Sequence, residues 1–189
     1  MGLNEDLFRA INGAGSPLLD PVMVAFGVVG SLLAYLWAVP LWVDRRRREA
    51  VDLILLLVLV EVLVFVLKVL VAAPRPFEVL PVRFVPVPFD DVSDPAFPSG
   101  HTARAFAAAV LLTLRMTDPR RSLPWFVYAG MVGLSRIYVG VHWPSDVVGG
   151  AVVGIGVAVA FERMTRMRGY GDARDRLVDP LAAIRGPTA

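Results

Sequence analysis

The chain has 189 residues, of which 56% are hydrophobic, and its mean hydropathy of +0.62 exceeds what a soluble domain of that length needs for its core. The composition therefore points to a membrane protein, and a net charge of only +2 gives no reason to expect a nucleic-acid partner. The absence of cysteine excludes disulfides, thiolate metal sites and a cysteine nucleophile.

At roughly 20 residues per span, the length accommodates an all-α, polytopic bundle of about five transmembrane helices as a single domain over residues 1–189. Leu3, Leu7, Phe8 and Ile11 recur at helical spacing before Gly13–Pro17, which predicts a short N-terminal helix lying at the membrane interface. This start lacks the basic head and cleavage site of a signal peptide, so the first span is expected to direct insertion. That span is predicted from Pro21 to Val43 and ends at Asp44 and the block Arg45–Arg48. A second runs from Val51 to Ala73, interrupted by Glu61 and by Lys68, the only lysine of the chain, and closed by Pro74-Arg75-Pro76. A Pro-rich, acidic loop follows. Three shorter helices are predicted from Ser99 to Arg115, Pro124 to Gly140 and Pro144 to Phe161, with polar residues at one end, as expected of helix ends that line a wet cavity. Residues 164–189 read as a polar tail without chemistry.

Basic residues fix the expected orientation. Under five spans, Arg45–Arg48, the arginines at 115, 120 and 121, and those at 163, 166, 168, 174, 176 and 185 fall on one side. The positive-inside rule makes that side cytoplasmic, together with the C-terminus. Lys68, Arg75, Arg104, Arg136 and both histidines then fall on the extracytoplasmic face of the cell membrane.

Three groups carry the chemistry. Lys68 and Arg75 are seven residues apart, close to two helical turns, which would align both cations on one face as the chain leaves the membrane. In Pro98-Ser99-Gly100-His101, Ser99 can cap the third helix, and Gly100 lets an anion approach its free N–H groups. In Ser135-Arg136-x5-His142-x3-Asp146, the carboxylate is placed to hold one imidazole nitrogen and leave the other free to attack. Three cations, a helix N-terminus and two histidines meet the needs of phosphoryl transfer, in which preorganised donors hold the equatorial oxygens while attacking and leaving groups stand in line. No metal ligand set is recognisable, and the cations would repel a divalent ion, so no metal or other cofactor is expected.

In order and spacing, these segments resemble the signature of the type 2 phosphatidic acid phosphatase superfamily, which also includes vanadium haloperoxidases. The match runs from 68 to 146, and the amphipathic start and five-span layout extend it over most of the chain. The resemblance implies that His142 is the nucleophile forming a phosphohistidine, that Asp146 orients it and that His101 protonates the leaving group. It further implies that Lys68, Arg75 and Arg136 bind the phosphate, with Ser99 and the Gly100 N–H assisting. The small size and the Leu7-Phe8-x-x-Ile11-Asn12 start are similar to the bacterial undecaprenyl diphosphate phosphatases, although some of those carry aspartate in place of Gly100. The implied partner is a polyprenyl phosphate or phospholipid in the membrane. Phosphatidylglycerol phosphate, phosphatidic acid or a soluble sugar phosphate are alternatives; a haloperoxidase, which would hold vanadate in the same cradle, is disfavoured by the spans.

Other residues have plainer readings. Asp90-Asp91-Val92-Ser93-Asp94 superficially matches an aspartate-rich magnesium motif but lies among prolines rather than on a helix. Arg104, one turn beyond His101, is a candidate for substrate selection or a partner of the loop aspartates. Glu61 reads as a hydrogen-bonding partner inside the bundle. Gly149, Gly150, Gly154 and Gly156 read as close helix packing, and Trp37, Trp42, Trp125 and Trp143 as interfacial belts, with Trp143 beside the nucleophile.

Overall fold

The computed structural model describes residues 2–36, 38–88, 92–116 and 118–178, and every regular element among them is helical. The order is α1 (Leu3–Gly13), α2 (Asp20–Leu36), α3 (Ala38–Val43), α4 (Arg47–Val71), α5 (Pro76–Val79), α6 (Gly100–Leu114), a 3₁₀ turn (Pro119–Ser122), α7 (Leu123–Tyr138), α8 (Pro144–Thr165) and α9 (Arg168–Val178). Prolines stand in the first turn of α5, α7 and α8, where a missing N–H costs no intrahelical bond.

Two stretches, Arg47–Val79 and Pro144–Thr165, are long and apolar enough to cross a membrane by length and composition. The expected first span is two helices, α2 and α3, on either side of Trp37, which lies outside the described residues. Helix α4 starts earlier than expected, because Arg47 and Arg48 continue into its first turn after Arg45 reverses the chain in the left-handed region at φ 60°. Along α4, Val58, Val62, Phe65, Val69 and Leu70 are exposed, an apolar strip of the kind lipid covers.

Helix α6 sits at the centre, against α4, α7 and α8. Its alanines 103, 107 and 108 are buried. The backbone of α8 approaches closely because a β-carbon at Gly154 would stand 2.2 Å from the Ala103 carbonyl oxygen, and one at Gly150 would stand 2.5 Å from that of Ser99. Gly156 departs from the expected packing role: no neighbour lies within 4 Å of where its β-carbon would be.

The tail departs from expectation as well. Its residues 168–178 form α9, and Tyr170 and Arg174 donate to the carboxylate of buried Asp52 on α4, at 2.5 and 3.0 Å. Arg115 also reaches Asp52, at 2.9 Å. Position 185 and the rest of the tail beyond 178 lie outside the described residues.

Candidate active site

Lys68 occupies the last turn of α4, which Ala72 ends in the left-handed conformation at φ 48°. The two cations of the first motif therefore do not share a helix face, contrary to the sequence expectation. Arg75 instead precedes α5, its N–H bonded to Glu78 Oε2 at 2.7 Å. The cations converge on one carboxylate. Lys68 Nζ is 2.8 Å from Asp94 Oδ2 and donates to the Pro95 carbonyl, while Arg75 Nη2 donates to Asp94 Oδ1 and Nε to the Asp94 carbonyl at 2.8 Å. Both cations are buried, at 8% and 3% side-chain exposure, whereas Asp94 is 46% exposed and covers them from outside.

The third motif forms where α7 ends. The N–H groups of Val141 and His142 both donate to the Arg136 carbonyl, at 3.2 and 3.3 Å, wrapping the chain into a tight loop through Gly140 at φ +91°. This loop ties the motifs together. The Val141 carbonyl, next to His142, accepts Arg75 Nη1 at 2.9 Å, and the Asp146 carbonyl accepts the Ser99 N–H at 3.0 Å. Ser99 takes the N-cap position of α6, but its hydroxyl accepts from Thr102 Oγ1 at 3.0 Å rather than capping a backbone N–H as its sequence position suggests. Gly100 and His101 form the first turn of α6, so its N-terminus belongs to the same end of the bundle.

His142 Nδ1 is 3.4 Å from Asp146 Oδ2, longer than a hydrogen bond, because that oxygen also accepts the Trp143 N–H at 2.8 Å and caps α8. A shift of a few tenths of an ångström would complete the contact, as catalytic hydrogen bonds tighten on ligand binding. Burial, reinforced by Arg75, Arg136 and Lys68, holds the His142 imidazole well below the usual histidine range near 6.5, so the ring is neutral at pH 7. Arg136 is buried at the C-terminal end of α7 against α2, where a β-carbon at Gly27 would stand 2.8 Å from Nη1.

Buried Arg104 pairs with Glu61 of α4, which is half exposed on the helix surface rather than inside the bundle as its sequence position suggested. Its guanidinium remains beside the first turn of α6, 3.5 Å from where a Gly100 β-carbon would be. Asp90 and Asp91 lie outside the described residues, and among those described no group of His, Asp or Glu could hold a metal ion.

Residues to which the sequence assigned no part in the chemistry support the site. Asn4 and Ser145 exchange two hydrogen bonds, at 3.1 and 3.0 Å. Phe8 packs its ring 5.1 Å from Trp143, whose indole N–H donates to the Pro74 carbonyl. The amphipathic helix α1 thus braces the loop that carries His142. At the other end of the bundle, a cavity of about 440 Å³ is bordered by Arg46, Arg115 and Arg121, but each is paired, with Glu49, Asp52 or Asp118.

The model of the PAP2 superfamily matches residues 49–170. An undecaprenyl-diphosphatase of Sulfolobus acidocaldarius is 33% identical over 159 residues, which cover 82% of this chain and 74% of that one. Among solved structures, Aquifex aeolicus LpxE superimposes with a TM-score of 0.76 at 35% identity, covering 86% of this chain and 96% of its own. A transmembrane PAP2-type phosphatidylglycerolphosphate phosphatase from Bacillus subtilis shares the fold, with a TM-score of 0.71 at 23% identity, over 87% of this chain and 86% of that one.

Proposed function

Because the chain belongs to the PAP2 superfamily and is a lipid phosphatase, we propose that it hydrolyses a polyprenyl diphosphate without a metal, through a phosphohistidine on His142. The observation that carries this reading is the convergence of Lys68, Arg75 and the His142–Asp146 pair on one end of the bundle, joined through the Val141 and Asp146 carbonyls. With Nδ1 turned to Asp146, Nε2 of the neutral imidazole is the nitrogen that attacks the terminal phosphorus. As the nitrogen–phosphorus bond forms, the bridging oxygen–phosphorus bond breaks, and His101 gives its proton to the departing lipid monophosphate. His101 then takes a proton from water, which attacks the phosphohistidine and releases inorganic phosphate. Lys68, Arg75 and Arg136, with the α6 N-terminus at Ser99 and Gly100, stabilise the equatorial oxygens.

The polyprenyl substrate is supported by the relative from Sulfolobus acidocaldarius, named undecaprenyl-diphosphatase and matched over most of both chains. Phosphatidylglycerol phosphate and phosphatidic acid are the other substrates for the same chemistry. The multi-pass layout of about five spans is part of this proposal, as is substrate entry from the lipid past the exposed strip of α4. The test is phosphate release by the purified protein, in chelator, from undecaprenyl diphosphate, phosphatidylglycerol phosphate, phosphatidic acid and a sugar phosphate. The diphosphate is expected to have the highest kcat/KM, with activity lost in vanadate. Activity that disappears in chelator and returns with magnesium would overturn the mechanism, and a preference for the sugar phosphate would overturn the lipid substrate.

A further inference from the structure

Asp94 places a carboxylate where the proposed phosphate site has its cations. One oxygen faces Lys68 Nζ at 2.8 Å and the other faces Arg75 Nη2, so the two cations are bridged as they would be by two oxygens of a phosphate. The carboxylate arrives from the loop, is about half exposed, and closes the outer side of a pair of nearly inaccessible cations. The loop backbone is fastened separately. The Asp94 and Pro95 carbonyls accept from Arg75 and Lys68, and the Ala96 N–H donates to the Ala73 carbonyl at 2.9 Å, so the side chain can swing away without unfastening the segment.

We infer that Asp94 is a built-in competitor for the phosphate site, a carboxylate that the substrate's phosphate must displace from Lys68 and Arg75 before His142 can attack. The inference rests on the proposed phosphate cradle and adds a competing internal anion to it. Two buried cations left without an anion would be costly, and Asp94 supplies one. The same contact raises the intrinsic affinity that any ligand must bring to the cradle. A dianionic terminal phosphate replaces one negative charge with two and recovers both cationic partners, whereas a carboxylate or a phosphodiester brings only one charge and gains little from the exchange. The apparent affinity of every anion is reduced by the fraction of molecules in which Asp94 holds the cations.

The experiment measures binding of inorganic phosphate and of orthovanadate to the full chain in detergent micelles, by calorimetry, in the wild type and in Asp94→Asn. A charge-assisted pair of this kind shifts such an equilibrium by about tenfold or more, so Asp94→Asn is expected to bind both anions about tenfold more tightly than the wild type. Phosphodiester inhibitors, which need the same cations free, are expected to gain affinity by the same factor. Asp94→Ser is read in the same way if the amide variant fails to fold. Affinity that is unchanged within twofold, or weaker, in the variants would overturn the inference, the second result making Asp94 a bracket that positions the cations. If the wild type and the Asp94 variants all bind neither anion, the cradle fails and the inference with it. Anion binding that Lys68→Gln abolishes while Asp94→Asn leaves it unchanged would sustain the cradle and overturn the competitor alone.

Discussion

Asn12 and Arg83, far apart in sequence, hold each other through two hydrogen bonds, Asn12 Nδ2 to the Arg83 carbonyl at 2.7 Å and the Arg83 N–H to Asn12 Oδ1 at 3.0 Å. The second amide hydrogen of Asn12 donates to the Tyr138 carbonyl at 2.8 Å, at the end of α7. One buried side chain thereby pins α1 to the loop after α5 and to the helix that leads into His142. Asn12→Ala leaves two carbonyls and one N–H without these partners, which costs about 1–3 kcal/mol. Thermal unfolding in detergent should show the loss, and kcat should fall more than KM rises, because the loop that carries His142 loses its brace. Asn12→Asp should be worse than alanine, since it turns an acceptor toward two carbonyl oxygens.

The two histidines should separate by leaving group. If His142 attacks phosphorus, no improvement in the leaving group replaces it, and His142→Ala should be inactive on a lipid monophosphate and on a nitrophenyl phosphate alike. Protonation by His101 is worth about 10²–10⁴-fold with a poor alkoxide and much less with nitrophenolate. His101→Ala should therefore retain far more activity on the nitrophenyl ester. Asp146→Asn should fall between the two, and equal rescue of both histidine variants would refute the roles.

His142 lies in the loop between α7 and α8, and burial with three neighbouring cations keeps its imidazole neutral to well below the usual range near 6.5. Titration of this residue should therefore place the acidic limb of kcat/KM for the free enzyme below that range. Arg136→Gln removes one of the charges that disfavour protonation and should move the limb to higher pH, whatever it does to the maximum rate. Stability has a definite sign as well. The unfolded chain binds the proton first, so the contribution of His142 is complete above about pH 6.5 and declines as pH falls from there toward the folded value. Rate profiles and melting temperatures across pH 5–8 check both statements.

Asp52 is buried between Arg115 and Arg174 at the other end of α4, about 24 Å from Lys68 along the helix axis at 1.5 Å per residue. Asp52→Ala takes one carboxylate partner from Arg115, which keeps Glu162 at 3.0 Å, and from Arg174, which keeps Asp175 at 3.6 Å, and it leaves the Tyr170 hydroxyl without this acceptor, so it should destabilise the protein by about 1–3 kcal/mol. Because the candidate site lies at the opposite end, KM for the lipid should change little at temperatures where the variant remains folded. Melting curves and steady-state kinetics test the two halves separately.

The expected orientation rests on the distribution of arginine. Cysteine replacing exposed Ser93, beside the active-site end, should react with an impermeant reagent in intact cells, and cysteine replacing exposed Arg46 should not. The reverse pattern would place the reacting groups in the cytoplasm.

Sequence by itself determined the helical class, the boundaries of α1, α6, α7 and α8 to within a few residues, and the residue types of the site, because apolar periodicity, helix-opening prolines and unpaired charges in apolar runs are local properties. It placed Lys68 and Arg75 on one helix face because nothing in the local pattern announces that Ala72 turns left-handed and ends α4. It read the Asp90–Asp94 run as a loop without seeing that Asp94 meets two cations, and residues 168–178 as plain tail without seeing the buried carboxylate that folds them into α9. Those contacts join residues 19 to 122 positions apart. Only the tertiary structure could decide them, since a charge buried by packing takes whichever partner the packing brings within reach, and sequence spacing carries no record of that distance.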